Sequence, residues 1–274
     1  MKQLITSFFL VGMLLIQITA CDNKNHESET EAPNANSHIK SQLEGDKIIT
    51  SFKYNESNQI SETESIYFYS RYLYDQDGNL IRIESANDES LLSSVYQPTN
   101  NQLMTAENSS ISSRQEFKYG EDGSLLEIEY YLMENDEFEL RSKQSFEFYE
   151  GRISKRNLHN ENGEITQFHV YEYDENGNVS NEKYYSFLFS DNSEAKLISE
   201  TSYQYDTHNN PFRIYEALAY PGLYSNTNNI IETRFISHQE VPPNIETSTS
   251  TYEYNENGYP VKVISENSEF EYQY

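Results

Sequence analysis

From about residue 47 onward, aromatic or aliphatic side chains alternate with polar ones at a spacing of two, as in Phe117-Lys118-Tyr119 and Phe270-Glu271-Tyr272-Gln273-Tyr274. That period sends every second side chain to the same face of a strand. Beyond the first twenty residues no stretch keeps apolar positions at helical spacing for three turns, so the pattern predicts an all-β fold with no substantial helix beyond a leader.

The alternation is organised by an internal repeat of the form aromatic-x-aromatic-Asp/Asn-x-x-Gly/Asn-x-hydrophobic. Its clearest copies are YLYDQDGNLIRI from Tyr72, FKYGEDGSLLEI from Phe117, YEYDENGNVSNE from Tyr171, YQYDTHNNPFRI from Tyr203 and YEYNENGYPVKV from Tyr252. Weaker copies are FKYNESNQISET from Phe52 and a shortened FEFYEGRISKR from Phe146. Each unit predicts a strand, a type I turn closed by a residue in the left-handed region, and a returning strand. Asp75-Gln76-Asp77-Gly78 is the type case, Asn162-Gly163 repeats the signal, and Asn58 and Asn209 stand where glycine stands elsewhere. Tyr54 to Tyr74 and Tyr254 to Tyr274 both span 20 residues (74 − 54 and 274 − 254), room for two strands and their turns. Sequential hairpins predict an antiparallel up-and-down meander, curled into a curved sheet or open half-barrel, with the last residues inside the sheet. Longer intervals in the middle predict irregular loops over 219–229 and 237–246, with a strand over 230–236 between them.

The N-terminus differs in kind. Lys2 precedes an apolar run from Leu4 to Ile18, about the length of an export signal and short of the ~20 residues that a spanning helix needs. The run ends in Ile18-Thr19-Ala20-Cys21, which resembles the bacterial lipobox, where the cysteine is lipidated and becomes the mature N-terminus. Cys21 is the chain's single cysteine, so no internal disulfide is possible. The other readings are an ordinary secretory signal with an incidental cysteine and an uncleaved anchor. The predicted divisions are a signal peptide over 1–20, a lipidated Cys21 with a disordered acidic tether over 21–46, and a β domain over 47–274. Within the tether, Glu27, Glu29 and Glu31 resemble acidic signals that send some lipoproteins to the outer surface, and a solvated linker accounts for them equally.

The strings Tyr74-Asp75-x-x-Gly78-Asn79-Leu80 and Tyr173-Asp174-x-x-Gly177-Asn178-Val179 resemble the YD repeats of RHS and teneurin proteins, a likeness that extends over most of residues 47–274. The whole plan of lipobox, acidic tether, YD-like hairpins and terminal aromatic strand is similar to short bacterial lipoproteins of unknown function with open, porin-like antiparallel sheets. The resemblance implies a fold and an address, and no activity. With few repeats and no C-terminal cargo domain, the chain departs from the large RHS toxin shells.

Charge narrows the partners: 19 basic against 45 acidic residues give −26, which repels phosphate backbones and argues against nucleic acid. The 24 tyrosines, with no tryptophan, suit half-exposed strands, and acids such as Glu127, Glu129, Glu147 and Glu253 interrupt any apolar band that a membrane barrel would need. The six histidines have no metal-ligand spacing, and no Gly-x-Ser-x-Gly elbow or phosphate-cradling loop occurs. Asp75-x-Asp77-Gly78-Asn79 and Asp174-x-Asn176-Gly177-Asn178 match the front of a calcium loop, but their glycines sit at position four between strands, so turn chemistry explains them without a metal. No catalytic residue, cofactor or metal ligand stands out. The expectation is therefore a lipid-anchored, non-catalytic envelope protein with a structural or binding role, whose partners are the membrane through its lipid and an envelope protein or glycan. A glycan-acting enzyme and a cation-dependent binding module are the alternatives. Should a ligand exist, the irregular-loop residues Tyr220, Pro221, Leu223 and Tyr224 are the candidate contacts.

Overall fold

A computed structural model describes residues 38–87, 102–188, 194–215, 217–218, 220–266 and 268–274. The expected signal peptide, Cys21 with its lipobox-like string and most of the expected tether lie outside the described residues. Among the described residues sixteen strands follow one another: β1 Ser41–Glu44, β2 Lys47–Tyr54, β3 Ile60–Ser65, β4 Phe68–Tyr74, β5 Leu80–Asn87, β6 Ser113–Tyr119, β7 Leu125–Glu134 and β8 Glu137–Tyr149. The second half comprises β9 Arg152–His159, β10 Ile165–Tyr173, β11 Val179–Ser186, β12 Lys196–Asn209, β13 Asn228–Ser237, β14 Asn244–Tyr254, β15 Pro260–Ser265 and β16 Ser268–Gln273. Each pairs antiparallel with its neighbours in sequence, as the hairpin repeat predicts.

The sheet is closed, not an open half-barrel. Closure comes from β1, which falls inside the stretch expected to be tether and pairs on one side with β16 (Gln42 opposite Tyr272) and on the other with β2 (Ser41 opposite Ser51). Both edges of the meander are thereby satisfied, the most complete answer to unpaired edge groups.

At the repeat turns the Asp or Asn is used by the backbone. Asp75 Oδ1 accepts the N–H groups of Asp77 and Asn79, both at 2.9 Å, and Asp174 Oδ1 those of Asn176 and Asn178 at the same distance. Asn55, Asn160 and Asn255 form the same clasp. Gly78 (φ 84°) and Asn58 (φ 60°) occupy the left-handed position that closes it. Asn209 does not: it is the last residue of β12, and instead of a hairpin turn Pro211 follows and the chain enters a short 3₁₀ turn, Pro211–Tyr215, begun by Asn210 Oδ1 accepting from the Phe212 N–H. That turn is helical structure which the sequence pattern does not predict.

The two faces of the wall differ. Phe52, Tyr72, Phe117, Tyr171, Ile60, Leu80, Leu125 and Val179 are buried inside the barrel. Positions between them carry ion pairs on the outside: Lys53 with Glu62 and Glu64, Arg71 with Glu84, Lys118 with Glu127 and Glu129, Lys183 with Glu172, and Lys262 with Glu269.

Candidate functional site

Between β12 and β13 the chain turns inward and plugs the barrel at the end where most repeat turns lie. Tyr215 reaches across to β3 and β4, its hydroxyl 2.9 Å from Thr63 Oγ1 and its ring 5.9 Å from that of Tyr72. Tyr220 packs against Phe146 on β8 (6.0 Å between centroids) and Phe212 meets Tyr272 on β16 edge-on at 5.8 Å. Buried asparagines hold the segment's exit: Asn226 Oδ1 accepts the Val179 N–H at 2.9 Å, and Asn178 and Asn228 exchange bonds of 3.1 and 3.0 Å. Such amides satisfy irregular backbone inside a core, where an unmet polar group is costly. On the wall beyond the plug, hydroxyls pair across strands, Thr50 with Ser65 at 3.3 Å, Ser70 with Ser85 at 2.8 Å and Ser250 with Ser265 at 2.9 Å.

Against the plug, β9, β10, β11 and β12 bring charged groups together on the inner wall. Arg156 lies opposite His169, and Tyr171 opposite Glu182. His169 Nδ1 is 2.6 Å from Glu182 Oε1, and the Tyr203 hydroxyl donates to Glu182 Oε2 at 3.3 Å. Burial, then the positive charge of Arg156, hold His169 below its ordinary value despite the Glu182 contact, so the imidazole is neutral at pH 7 and donates from Nδ1 to a carboxylate that only accepts. Burial alone would raise Glu182, but the His169 hydrogen bond, the charge of Arg156 and the Tyr203 hydroxyl outweigh it and keep the carboxyl below its usual range. Burial pushes the Tyr220 phenol up to about 12.

Arg156 is 2% exposed, with its guanidinium 5.2 Å from the centre of the Tyr220 ring. Its Nε and Nη2 have no hydrogen-bond partner among the described residues. A cavity of about 40 Å³ lies here, with Arg156, Glu182 and Tyr203 on the wall and Pro221, Gly222 and Leu223 on the plug.

The four loop residues singled out in the sequence therefore sit in or against the plug. Pro221 and Leu223 line the cavity, Tyr220 is buried beside Arg156, and Tyr224 packs on Tyr215 with ring centres 4.7 Å apart. Arg156, His169 and Glu182 escape the sequence reading. His169 carried a usable signal, since it shares the parity of the inward Tyr171 and Tyr173. Arg156 and Glu182 become neighbours only through register, which the pattern does not supply.

No protein-family model matches the chain, and no curated protein matches it in sequence. Among solved structures it is similar to a porin-like protein from Bacteroides vulgatus ATCC 8482, at 11% identity over 86% of this chain and 98% of that one, with a TM-score of 0.49. It is also similar to a porin-like protein from Bacteroides uniformis ATCC 8492, at 12% identity over 85% and 96% of the two chains, with a TM-score of 0.39.

Proposed function

We propose that the chain is a lipid-anchored, non-catalytic protein of the bacterial cell envelope, whose plugged barrel stands in water and binds an envelope component or serves as a structural element. The observation that carries this reading is the pairing of an ion-paired outer wall with an interior crossed by the 210–227 segment. A barrel that spans a membrane turns an apolar band outward, and charges at mid-depth there cost about 2–4 kcal/mol for Arg or Lys. Membrane attachment then falls to the lipid on Cys21, after Ile18-Thr19-Ala20, with residues between it and β1 as the tether.

The test compares the natural chain with one whose residues 1–21 are replaced by a cleavable secretory signal lacking cysteine. The natural chain is expected to incorporate radiolabelled palmitate and to remain with membranes after alkaline carbonate washing. The replaced chain is expected in the soluble periplasmic fraction. Carbonate-resistant membrane insertion of the replaced chain would overturn the reading, since the barrel itself would then be the membrane element.

A further inference from the structure

We infer that the free edge of β14 at the rim opposite the repeat turns, residues 245–249, docks an extended basic segment of a partner polypeptide, which adds a strand beside it. The inference names the kind of component for the binding role proposed above and rests on it.

β14 overhangs one of its two neighbours. It pairs with β13 from Asn244 opposite Ser237 to Thr249 opposite Glu232, but with β15 only from Ser250 opposite Ser265 onward. Successive residues of an antiparallel strand send their N–H and C=O groups to opposite sides. Asn255, just past the strand, donates its N–H to the Tyr259 carbonyl on the β15 side, so the odd positions point that way. Ile245, Thr247 and Thr249 therefore hold three N–H and three C=O groups toward a slot that no strand fills among the described residues. Residues 244–249 are all exposed, whichever face of the sheet they occupy, so the slot is open to solvent.

Proteins guard such edges with bulges, charges or proline. β8 also overhangs, since residues 137–142 pair with β7 alone, and there Glu137, Glu139, Arg141 and a register shift blunt the edge. Over 244–249, by contrast, β14 keeps an unbroken register with β13, offers β-branched Ile245, Thr247 and Thr249, and carries Glu246 as its single charge. The edge is straight, strand-prone and unpartnered.

Charge and length choose the occupant. Glu246 lies on the strand, Glu266 on the β15–β16 turn at the foot of the slot, and the chain as a whole carries −26, so a basic segment is attracted and a second copy repelled. One strand back, Arg234 opposite Thr247 and Glu232 opposite Thr249 offset each other. Five residues at about 3.4 Å each make a slot about 17 Å long, the reach of one short extended segment. Its side chains beside Ile245, Thr247 and Thr249 share their face and those beside Glu246 and Ser248 share the other, so lysine or arginine belongs at alternate positions.

The test uses the mature lipidated chain in non-ionic detergent micelles and a fluorescent seven-residue peptide alternating lysine with valine or threonine, followed by anisotropy. Two further peptides carry N-methyl groups on every second amide, in the two possible phases. The parent peptide is expected to bind saturably, one methylated phase to bind like it and the other to fail, because only one edge of the peptide faces β14. Thr247→Pro removes an N–H that the ladder does not use, a change that an edge strand tolerates, and should weaken binding at least about tenfold. Glu246→Gln, which leaves the backbone alone, should weaken it several-fold. Absence of saturable binding, equal affinities of the two methylated peptides, or undiminished binding by both variants would overturn the proposal. So would light scattering that shows a dimer of the natural chain and a monomer of Thr247→Pro, since the occupant would then be a second copy. Membrane fractionation reads none of these contacts, so failure of the docking edge and failure of the envelope assignment are separable.

Discussion

The phenol of Tyr74 donates a 2.9 Å hydrogen bond to the carbonyl of Ile60, the first residue of the strand that follows the preceding turn. Tyr119 makes the same contact with Leu80 at 2.8 Å, Tyr173 with Ile153 at 2.7 Å, Tyr205 with Val179 at 2.6 Å and Tyr274 with Pro260 at 2.7 Å. Tyr54 reaches Ile39 at 2.6 Å, just before β1. These tyrosines are thus tied to the strand before them by a hydroxyl, which explains why the third position of most repeats is tyrosine where the first is tyrosine or phenylalanine. The shortened unit has Phe148 there, and that ring is 40% exposed. Beside the plug, Tyr252 bonds Ile230 at 2.9 Å and Tyr254 turns instead to Asp206, which also binds Asn229.

Tyr74→Phe removes one such bond without altering shape. The expected loss is about 1 kcal/mol, the usual net worth of a partly buried hydrogen bond. Urea unfolding should show a lower midpoint at an unchanged slope.

Gly123 sits at φ 79° with nothing within 4 Å of where a Cβ would stand, so Gly123→Ala isolates the backbone cost. That cost is about 1–2 kcal/mol for an L-residue in the left-handed region. Asn58→Gly, at φ 60°, should relieve the same strain and leave stability equal or higher despite the freer unfolded chain. Thermal unfolding of the two variants checks the opposite signs.

Tyr215 fastens the plug to the far wall. Tyr215→Ala should destabilise by about 3–5 kcal/mol, as large aromatic truncations in cores do, whereas Tyr215→Phe loses only its Thr63 hydrogen bond, about 1 kcal/mol. Limited proteolysis should open the 210–227 segment first in the alanine variant.

His169 makes stability pH-dependent with a definite sign. Its folded form stays neutral below the ordinary value of 6.5, at which the unfolded chain takes up its proton, so the unfolded state binds more protons as pH falls. Its contribution is complete above pH 6.5 and declines below it. Titration of the acidic residues, which relieves repulsion at lower pH, acts on every variant alike, so the difference is diagnostic. His169→Gln should lose less stability than the natural chain between pH 7.5 and 5.5, measured by urea midpoints at each pH.

The turns and wall were legible because their signals are local. The Asx clasp needs an acceptor at Asp75 or Asp174 and a left-handed residue three positions on, all within one short string. Closure was not legible, since Ser41-Gln42-Leu43-Glu44 is four residues in an acidic polar stretch, and the pairing that closes the sheet is with β16, more than two hundred residues away. The plug was hidden for a related reason. Tyr205-Asp206-Thr207-His208-Asn209 imitates a turn unit, yet Asp206 Oδ1 accepts from His208 N–H locally and from Asn229 N–H twenty-three residues away. Of the candidate site, the plug residues carried a sequence signal as an irregular loop and His169 one through its parity with Tyr171, while the meeting of Arg156 and Glu182 with it depends on cross-strand register.

Pairing of β1 with β16 encloses the plug and the Arg156 cavity, so the most direct measurement is a crosslink across that seam. Ser41 and Gln273 are opposed there, with the Ser41 hydroxyl donating to Gln273 Oε1 at 2.9 Å. The cysteine-free secreted chain carrying Ser41→Cys and Gln273→Cys should form an intramolecular disulfide on mild oxidation, seen by peptide mass mapping. A folded chain in which both thiols stay free and reactive to maleimide would contradict the closed barrel.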